Sequence, residues 1–326
     1  MALEQVLPEV LATSQEGSYD FLFTLPSLLG PLDVRTLVPL LILARDQGWE
    51  GGYASHLLDV IGLPEIKLHP GYQLRVHTLG SFHLYRGEFQ VPATSWRREK
   101  ARHLFQILLS HHDLPLDRDQ LAEYLWPEQY PETSQRNFRI ALNTLYQVLE
   151  PEREPGSESA YIVREGTTYH LRPEADIWID AQAFEHTVRQ ANQLVESRPE
   201  DAILKMEQAM DLYQGKYLPD CRYESWAAVE RERLAVMFLQ IADSLSELLL
   251  ERERLEEVIR VCQRILSEDN CWERAYRHLM VVHDRLGNHG RVGRIYHRCV
   301  RTLQKELDVA PAPETEALFQ ALVQGK

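Results

Sequence analysis

The spacing of apolar residues switches between helical and strand periods along this chain. Up to about residue 70 it is helical: Leu37, Leu40, Leu41 and Ala44 recur at i, i+3, i+4 and i+7 behind Asp33, a residue type suited to capping. Pro39 inside that run implies a kink or a late start. Leu57, Leu58 and Ile61 share one face of a second piece, Tyr53 to Ile61, which Gly62 and Pro64 end, so an α-helical hairpin is expected. From Gln73 the period becomes two. Leu74, Val76 and Thr78, then Phe82 and Leu84, then Phe89 and Val91 alternate with polar residues, with Gly80 and Gly87 at the turns, which predicts a small antiparallel sheet.

Helical spacing then returns in three segments. Leu104, Phe105, Leu108 and Leu109 form the stripe of one helix; Asp117 opens a short one carrying Leu121, Leu125 and Trp126 up to Pro127. A third, from Thr133 or Ser134 to about Leu149, buries Phe138, Ala141, Leu142, Leu145 and Leu149 and leaves Arg136, Arg139, Ile140, Asn143 and Gln147 outside. A Glu/Pro/Gly/Ser-rich loop over 150–159 leads to a hairpin from Tyr161 to Leu171 centred on Gly166. Helix, short helix, longer helix and hairpin in that order outline a winged helix-turn-helix. After Trp178-Ile179-Asp180 the pattern is wholly helical. Leu245, Val258, Cys262 and Ile265 correspond to Leu279, Val292, Tyr296 and Cys299, each offset by 34 residues, the period of tetratricopeptide (TPR) helix pairs.

The expected fold is therefore α+β and mostly α. It has an N-terminal helical segment (1–70), a winged helix with its small sheet (73–172), and an all-α TPR-like helical-repeat domain (176–326). At 326 residues with 44% apolar positions, the chain can bury two or three cores. Its net charge of −14 repels phosphate over most of its surface, so any nucleic-acid contact must be local. Residues 1–70 hold 3 Lys/Arg against 9 Asp/Glu, and residues 73–171 hold 11 against 13. Binding of DNA by one copy is then expected to be weak and strongly salt dependent. The four cysteines lie in helical stretches without a CxxC pair and read as buried or half-buried thiols of a reducing compartment. The acidic start lacks the features of a signal peptide, and the longest apolar run, 37–44, is far too short to span a bilayer. The chain is expected in the cytoplasm, with no membrane partner.

The chemistry points to DNA. Arg97, Arg98, Lys100 and Arg102 cluster where the first helix of the winged segment begins, close enough to neutralise several phosphates; the alternative is a solvated basic helix end paired with Glu99. Arg136, Arg139 and Asn143 recur at i, i+3 and i+7 on the third helix. Arg suits guanine O6 and N7 or a phosphate, and Asn suits adenine N6 and N7. In the hairpin, Arg164, Thr167 and Thr168 could touch backbone or minor groove, or form an ordinary tip. His111 and His112 have no third ligand at fixed spacing, so no metal is expected, nor any cofactor. No GxxxxGK[ST], GxSxG, HExxH or GxGxxG occurs, which argues against an enzyme. Trp226, Tyr276 and Tyr296 could line a TPR-like binding surface or belong to the core. The runs 230–233 and 251–254, alternating Glu and Arg, read as solvated faces with internal ion pairs.

Several motifs carry a family resemblance. Leu79-Gly80-x-Phe82, Trp96-Arg97-x-x-Lys100-Ala101-Arg102, Leu125-Trp126-Pro127 and Tyr169-x-Leu171 resemble the OmpR-type winged helix of SARP (antibiotic regulatory protein) transcriptional activators. Asp211-Leu212-Tyr213-x-Gly215-x-Tyr217-Leu218-Pro219-Asp220, Trp226-x-x-x-Glu230-Arg231-x-Arg233-Leu234, and Lys305-Glu306-Leu307 with Pro311 and Glu314-Thr315 resemble their bacterial transcriptional activator domain. Residues 1–72 resemble the last helical repeats of larger MalT-like regulators. The resemblance implies a sequence-specific DNA-binding regulator, an activator, whose winged helix reads paired promoter repeats on double-stranded DNA. Its helical domain would contact RNA polymerase, or would regulate docking through another protein or a segment of the same chain. The family often has Leu-Arg and further basic residues where this chain has Leu145-Tyr146-Gln147, which implies a different affinity or sequence preference. The alternative is a TPR-like protein-interaction module with a degenerate winged helix.

Overall fold

The computed structural model describes residues 2–28, 30–112 and 114–324. They pack as two compact units: one takes in residues up to 77 and 82–179, the other 78–81 and 180 onward.

Unit 1 begins with helices α1 (Ala2–Gly17), α2 (Phe21–Thr24), α3 (Val38–Gln47) and α4 (Gly51–Val60). Asp33 does cap, its carboxylate accepting from the Arg35 amide at 3.0 Å, but it caps a 3-10 turn, Val34–Leu37. Helix α3 starts after that turn with Pro39 in its first turn, where a missing N–H costs nothing. Leu7 and Leu11 of α1, Leu41 of α3, and Leu57 and Leu58 of α4 close a core of their own.

The expected sheet is present as β1 (Leu74–His77), β2 (His83–Arg86) and β3 (Phe89–Gln90), antiparallel in turn. The antiparallel expectation is incomplete. Ile177–Ile179 forms a further strand, numbered β7 below, that pairs parallel to β1, making the order β3-β2-β1-β7. Three residues are too few to show a period, and their partner lies about a hundred positions away. Asp176, just before this strand, ties the N-terminal helical segment to the sheet: its carboxylate accepts from Arg35 Nε at 2.6 Å and Gln73 Nε2 at 2.6 Å, with His69 Nε2 at 3.4 Å. Burial pushes this carboxyl up, but the hydrogen bonds from His69 and Gln73 and the Arg35 charge outweigh it and hold the group below its ordinary range.

The winged segment follows as α5 (Glu99–Ser110), β4 (Leu116–Asp117), α6 (Arg118–Leu125), α7 (Pro131–Leu149), β5 (Ile162–Glu165) and β6 (Thr168–Leu171), the strands ordered β4-β6-β5. This is a winged helix-turn-helix. Helix α7 starts two residues before the expected Thr133 because Pro131 sits in its first turn with φ already fixed for a helix. Two aromatic groups hold it together. Trp96, Phe82 and Phe105 meet at ring distances of 6.1 to 6.4 Å and fasten the sheet to α5, while Phe138 meets Tyr169 edge-on at 5.3 Å and fastens α7 to the hairpin.

Unit 2 is helical: α8 (Asp180–Leu194) with α9 (Pro199–Leu212), α10 (Ala228–Glu251) with α11 (Leu255–Glu268), α12 (Glu273–Arg285) with α13 (His289–Leu307), then α14 (Pro313–Gln324). Of the positions offset by 34 residues, all but Tyr296 are buried; Tyr296 is half-buried and stacks on Phe319 with centroids 4.0 Å apart. Trp226 and Tyr276 are core residues.

Two of the sequence motifs prove to be partners within this unit. Leu79 forms a β-bridge with Tyr217, Gly80 N–H donates to the Lys216 carbonyl at 3.1 Å, and Leu218 N–H donates to the Thr78 carbonyl at 2.8 Å. A Cβ on Gly80, whose φ is +85°, would lie 2.9 Å from the Gln214 backbone, so only glycine fits. The buried Asp180 carboxylate accepts from the Thr78 hydroxyl at 2.7 Å and from the amides of Thr78 and Leu79. Arg231 corrects the solvated-face reading of the run 230–233. Its guanidinium donates inward to the carbonyls of Tyr217 at 2.9 Å and Cys221 at 2.8 Å, whereas Arg233 makes the expected ion pairs, with Glu230 and Glu185.

Candidate nucleic-acid interface

Helix α7 is amphipathic because its apolar residues recur at helical spacing, and its outer side follows from the same count. Phe138, Ala141, Leu142, Leu145 and Leu149 are buried, while Arg136, Arg139, Asn143 and Gln147 are exposed along one stripe. Arg136, Arg139 and Asn143 form no side-chain hydrogen bond or ion pair with another described residue. A guanidinium free in a chain with 49 carboxylates is available for an outside anion.

The basic cluster before α5 is divided by the fold. Ala93–Trp96 is a 3-10 turn, Arg97 follows at φ +38°, and Arg98 is extended at the N-cap of α5. Arg97 and Arg98 therefore project from the turn, exposed, rather than from the helix, and Trp96 anchors that turn in the core. Lys100 lies within α5, half-buried. Arg102, also in α5, sits 3.7 Å from Glu99, as the alternative reading anticipated for this end.

At the wing, Gly166 takes φ +62° at the tip between β5 and β6. Arg164 is exposed, with its Nε donating to the Gly166 carbonyl at 3.2 Å and its guanidinium 5.9 Å from the Tyr169 ring. The two threonines spend their protons internally. Thr167 Oγ1 donates to Asp117 Oδ2 at 2.6 Å and Thr168 Oγ1 to the Glu165 carbonyl at 2.9 Å. Asp117 also caps α6 through the Asp119 amide at 2.8 Å, and these bonds, that from Thr167 foremost, hold its carboxyl below the ordinary range. Thr167 thus locks the wing to the start of α6.

One residue escaped the sequence reading. Arg153, in the loop after α7, lies over the Tyr146 ring at 4.2 Å. Burial, with Tyr169 and Glu150 nearby, holds the Tyr146 phenol above its ordinary range, and the charges of Arg153 and Arg164 pull against that, so both arginines bear on the C-terminal half of α7. That is where Tyr146 and Gln147 stand. The signal in the sequence was slight: one arginine in a Glu/Pro-rich loop. Among the described residues, no group of three or more His, Cys, Asp or Glu could hold a metal ion, and no helix is long and apolar enough to cross a membrane.

Comparison with known proteins bears on the other unit. Residues 179–323 match the family model described as the bacterial transcriptional activator domain. The fold is similar to that of Mycobacterium tuberculosis EmbR in complex with low affinity phosphopeptide, with a TM-score of 0.64 at 19% identity, over 78% of this chain and 66% of that one. No curated protein matches the sequence. The similarity to a bacterial transcriptional activator domain thus covers residues 179–323 and lies outside residues 73–172.

Proposed function

We propose that this chain is a sequence-specific DNA-binding transcriptional regulator of the activator type. The observation that carries the reading is the exposed, unpaired stripe of Arg136, Arg139 and Asn143 on the second helix of a helix-turn-helix, joined in one chain to a bacterial transcriptional activator domain. In this reading α7 enters the major groove, where Arg139 and Asn143 face base edges; Arg136, Arg97, Arg98 and Lys100 neutralise phosphates. Arg164 and Arg153 reach the flanking backbone. Thr167 and Thr168, whose hydroxyl protons are committed, position the wing. Arg102, close to Glu99, contributes less than its neighbours. With no basic excess over residues 73–171, paired promoter repeats would supply the affinity that one copy lacks.

Genomic footprinting of the full chain followed by gel shift on the recovered site tests this. Arg139→Ala and Asn143→Ala should each cost about 1–3 kcal/mol of binding, roughly tenfold to a hundredfold, and relax sequence preference at one position. Wild-type affinity in both variants removes α7 as the reading helix. The second reading, a protein-interaction module with a degenerate winged helix, draws on Tyr146 and Gln147 and predicts no footprint and no duplex affinity even at low salt.

A further inference from the structure

Helix α13 carries Arg291, Arg294, Arg298, Arg301 and Lys305 against the single carboxylate Glu306. At 100° per residue these five fall within about 80° of arc, one face of the helix. All five are exposed, and none of the four arginines forms an ion pair with another described residue; Lys305 alone pairs, with Glu306 at 2.7 Å. Five other arginines of unit 2 behave otherwise. Arg233, Arg252, Arg254, Arg274 and Arg285 each reach a carboxylate. Carboxylates outnumber cations in this chain, so an unpaired row of four arginines does not reflect a shortage of partners.

The row borders a groove of about 300 Å³ between α11 and α13, with α12 between them. Ile259 and Leu266 of α11, Leu279 of α12 and Ile295 of α13 line it with apolar surface, and Arg291 and Arg298 stand at its side. His283 of α12 also lines it, 5% exposed, and its Nδ1 has no hydrogen-bond partner among the described residues.

We infer that this groove docks an acidic amphipathic helix of a partner protein, its carboxylates on Arg291, Arg294, Arg298 and Arg301 and its apolar residues on the floor. Successive arginines rise about 4.5 to 6 Å along α13, matching the 5.4 Å turn of a facing helix. Arginine suits the pairing because its planar fork binds a carboxylate through two parallel bonds. Duplex DNA would satisfy the cations but leave the part-exposed Ile259 and Ile295 uncovered, so the floor selects an apolar-faced helix. The inference deepens the reading of unit 2 as the protein-contacting half of the regulator, and it does not require the winged helix to bind DNA.

The test uses the full chain and a fluorescein-labelled amphipathic peptide with glutamates at i, i+3, i+7 and i+10 and leucines between them, read by anisotropy. Wild type should bind it, and should not bind the same peptide with lysine at those four positions. Arg294→Glu combined with Arg298→Glu should weaken binding roughly tenfold to a hundredfold, while the double Lys variant keeps most of the affinity. Far-ultraviolet dichroism and a melt verify that α13 is intact in each. Equal binding of the two peptides by wild type overturns the inference, as does unchanged peptide affinity in a folded Glu variant. So does a random-sequence duplex that binds wild type and loses affinity in the Glu variant while the peptide does not. A chain that binds the acidic peptide but leaves no genomic footprint would keep this inference and remove the DNA reading.

Discussion

Helix α7 of unit 1 and the helix pairs of unit 2 treat arginine in opposite ways. In the turn between α10 and α11 and at both ends of α12, four guanidinium groups close on carboxylates: Arg252 on Glu200 at 2.6 Å, Arg254 on Glu257 at 2.6 Å, Arg274 on Asp243 at 2.8 Å, Arg285 on Glu253 at 2.9 Å. On α7 of unit 1, Arg136 and Arg139 are exposed and reach none. Residue type is the same in both places, and so is the surplus of carboxylates in the chain. What differs is that the paired arginines sit where helices and turns bring a carboxylate into contact, whereas the one carboxylate on the outer face of α7, Glu132 in its first turn, pairs with neither Arg136 nor Arg139. An arginine kept from pairing in an acidic chain is a cation held in reserve, and α13 repeats that pattern inside unit 2.

The comparison can be broken first through the packing that presents the free arginines. Phe138→Ala removes a fully buried ring that meets Tyr169, and should cost unit 1 about 3–5 kcal/mol. Hydrogen exchange should show lost protection in α7 and the wing with α10–α13 unchanged; equal loss in both units would show that they do not carry separate cores.

A smaller effect concerns the ion pair of unit 1 whose carboxylate is buried, Arg35 on Asp176. The folded-state pKa of Asp176 is depressed, so its contacts stabilise fully well above the ordinary value of 3.8 and are lost as pH falls below it through the folded value. Melting temperature against pH should therefore show an acid limb that Asp176→Asn flattens, with a loss at neutral pH of about 1–3 kcal/mol for the hydrogen bonds to a charged group. Parallel limbs for wild type and variant would remove Asp176 as the tie. Smallest of all, Arg285→Ala breaks an exposed pair and should change stability by about 0–1 kcal/mol without touching DNA affinity. A large loss there would mean that the paired arginines of unit 2 are more than surface neutralisation.

How far the sequence disclosed this molecule depended on the range of the contacts. Helix pairs such as α10 with α11 and α12 with α13 announce themselves through local period, and the 34-residue offset marked which positions are buried. The stripe of α7 was readable for the same reason. What could not be read is non-local. Strand β7 is three residues long and finds β1 across the whole winged segment, and β4 is two residues joined to β6. Arg231 hides in an alternating Glu-Arg run, yet it points inward, where the carbonyls of Tyr217 and Cys221 accept from it. Thr167 looked like a wing-tip contact, but its proton goes to Asp117, fifty positions earlier. Arg153 is near Tyr146 only because the loop after α7 turns back.

The central claim, that the free arginines of α7 are spent on DNA, is tested most directly by the salt dependence of affinity for a footprinted site in wild type, Arg136→Ala, Arg139→Ala and the paired-arginine control Arg252→Ala. A phosphate contact contributes about −0.9 to the slope of log affinity against log salt. Arg136→Ala should lower the slope by about one and Arg139→Ala should lower affinity together with sequence preference, while Arg252→Ala changes neither. Identical slopes and affinities in all four proteins would contradict the account.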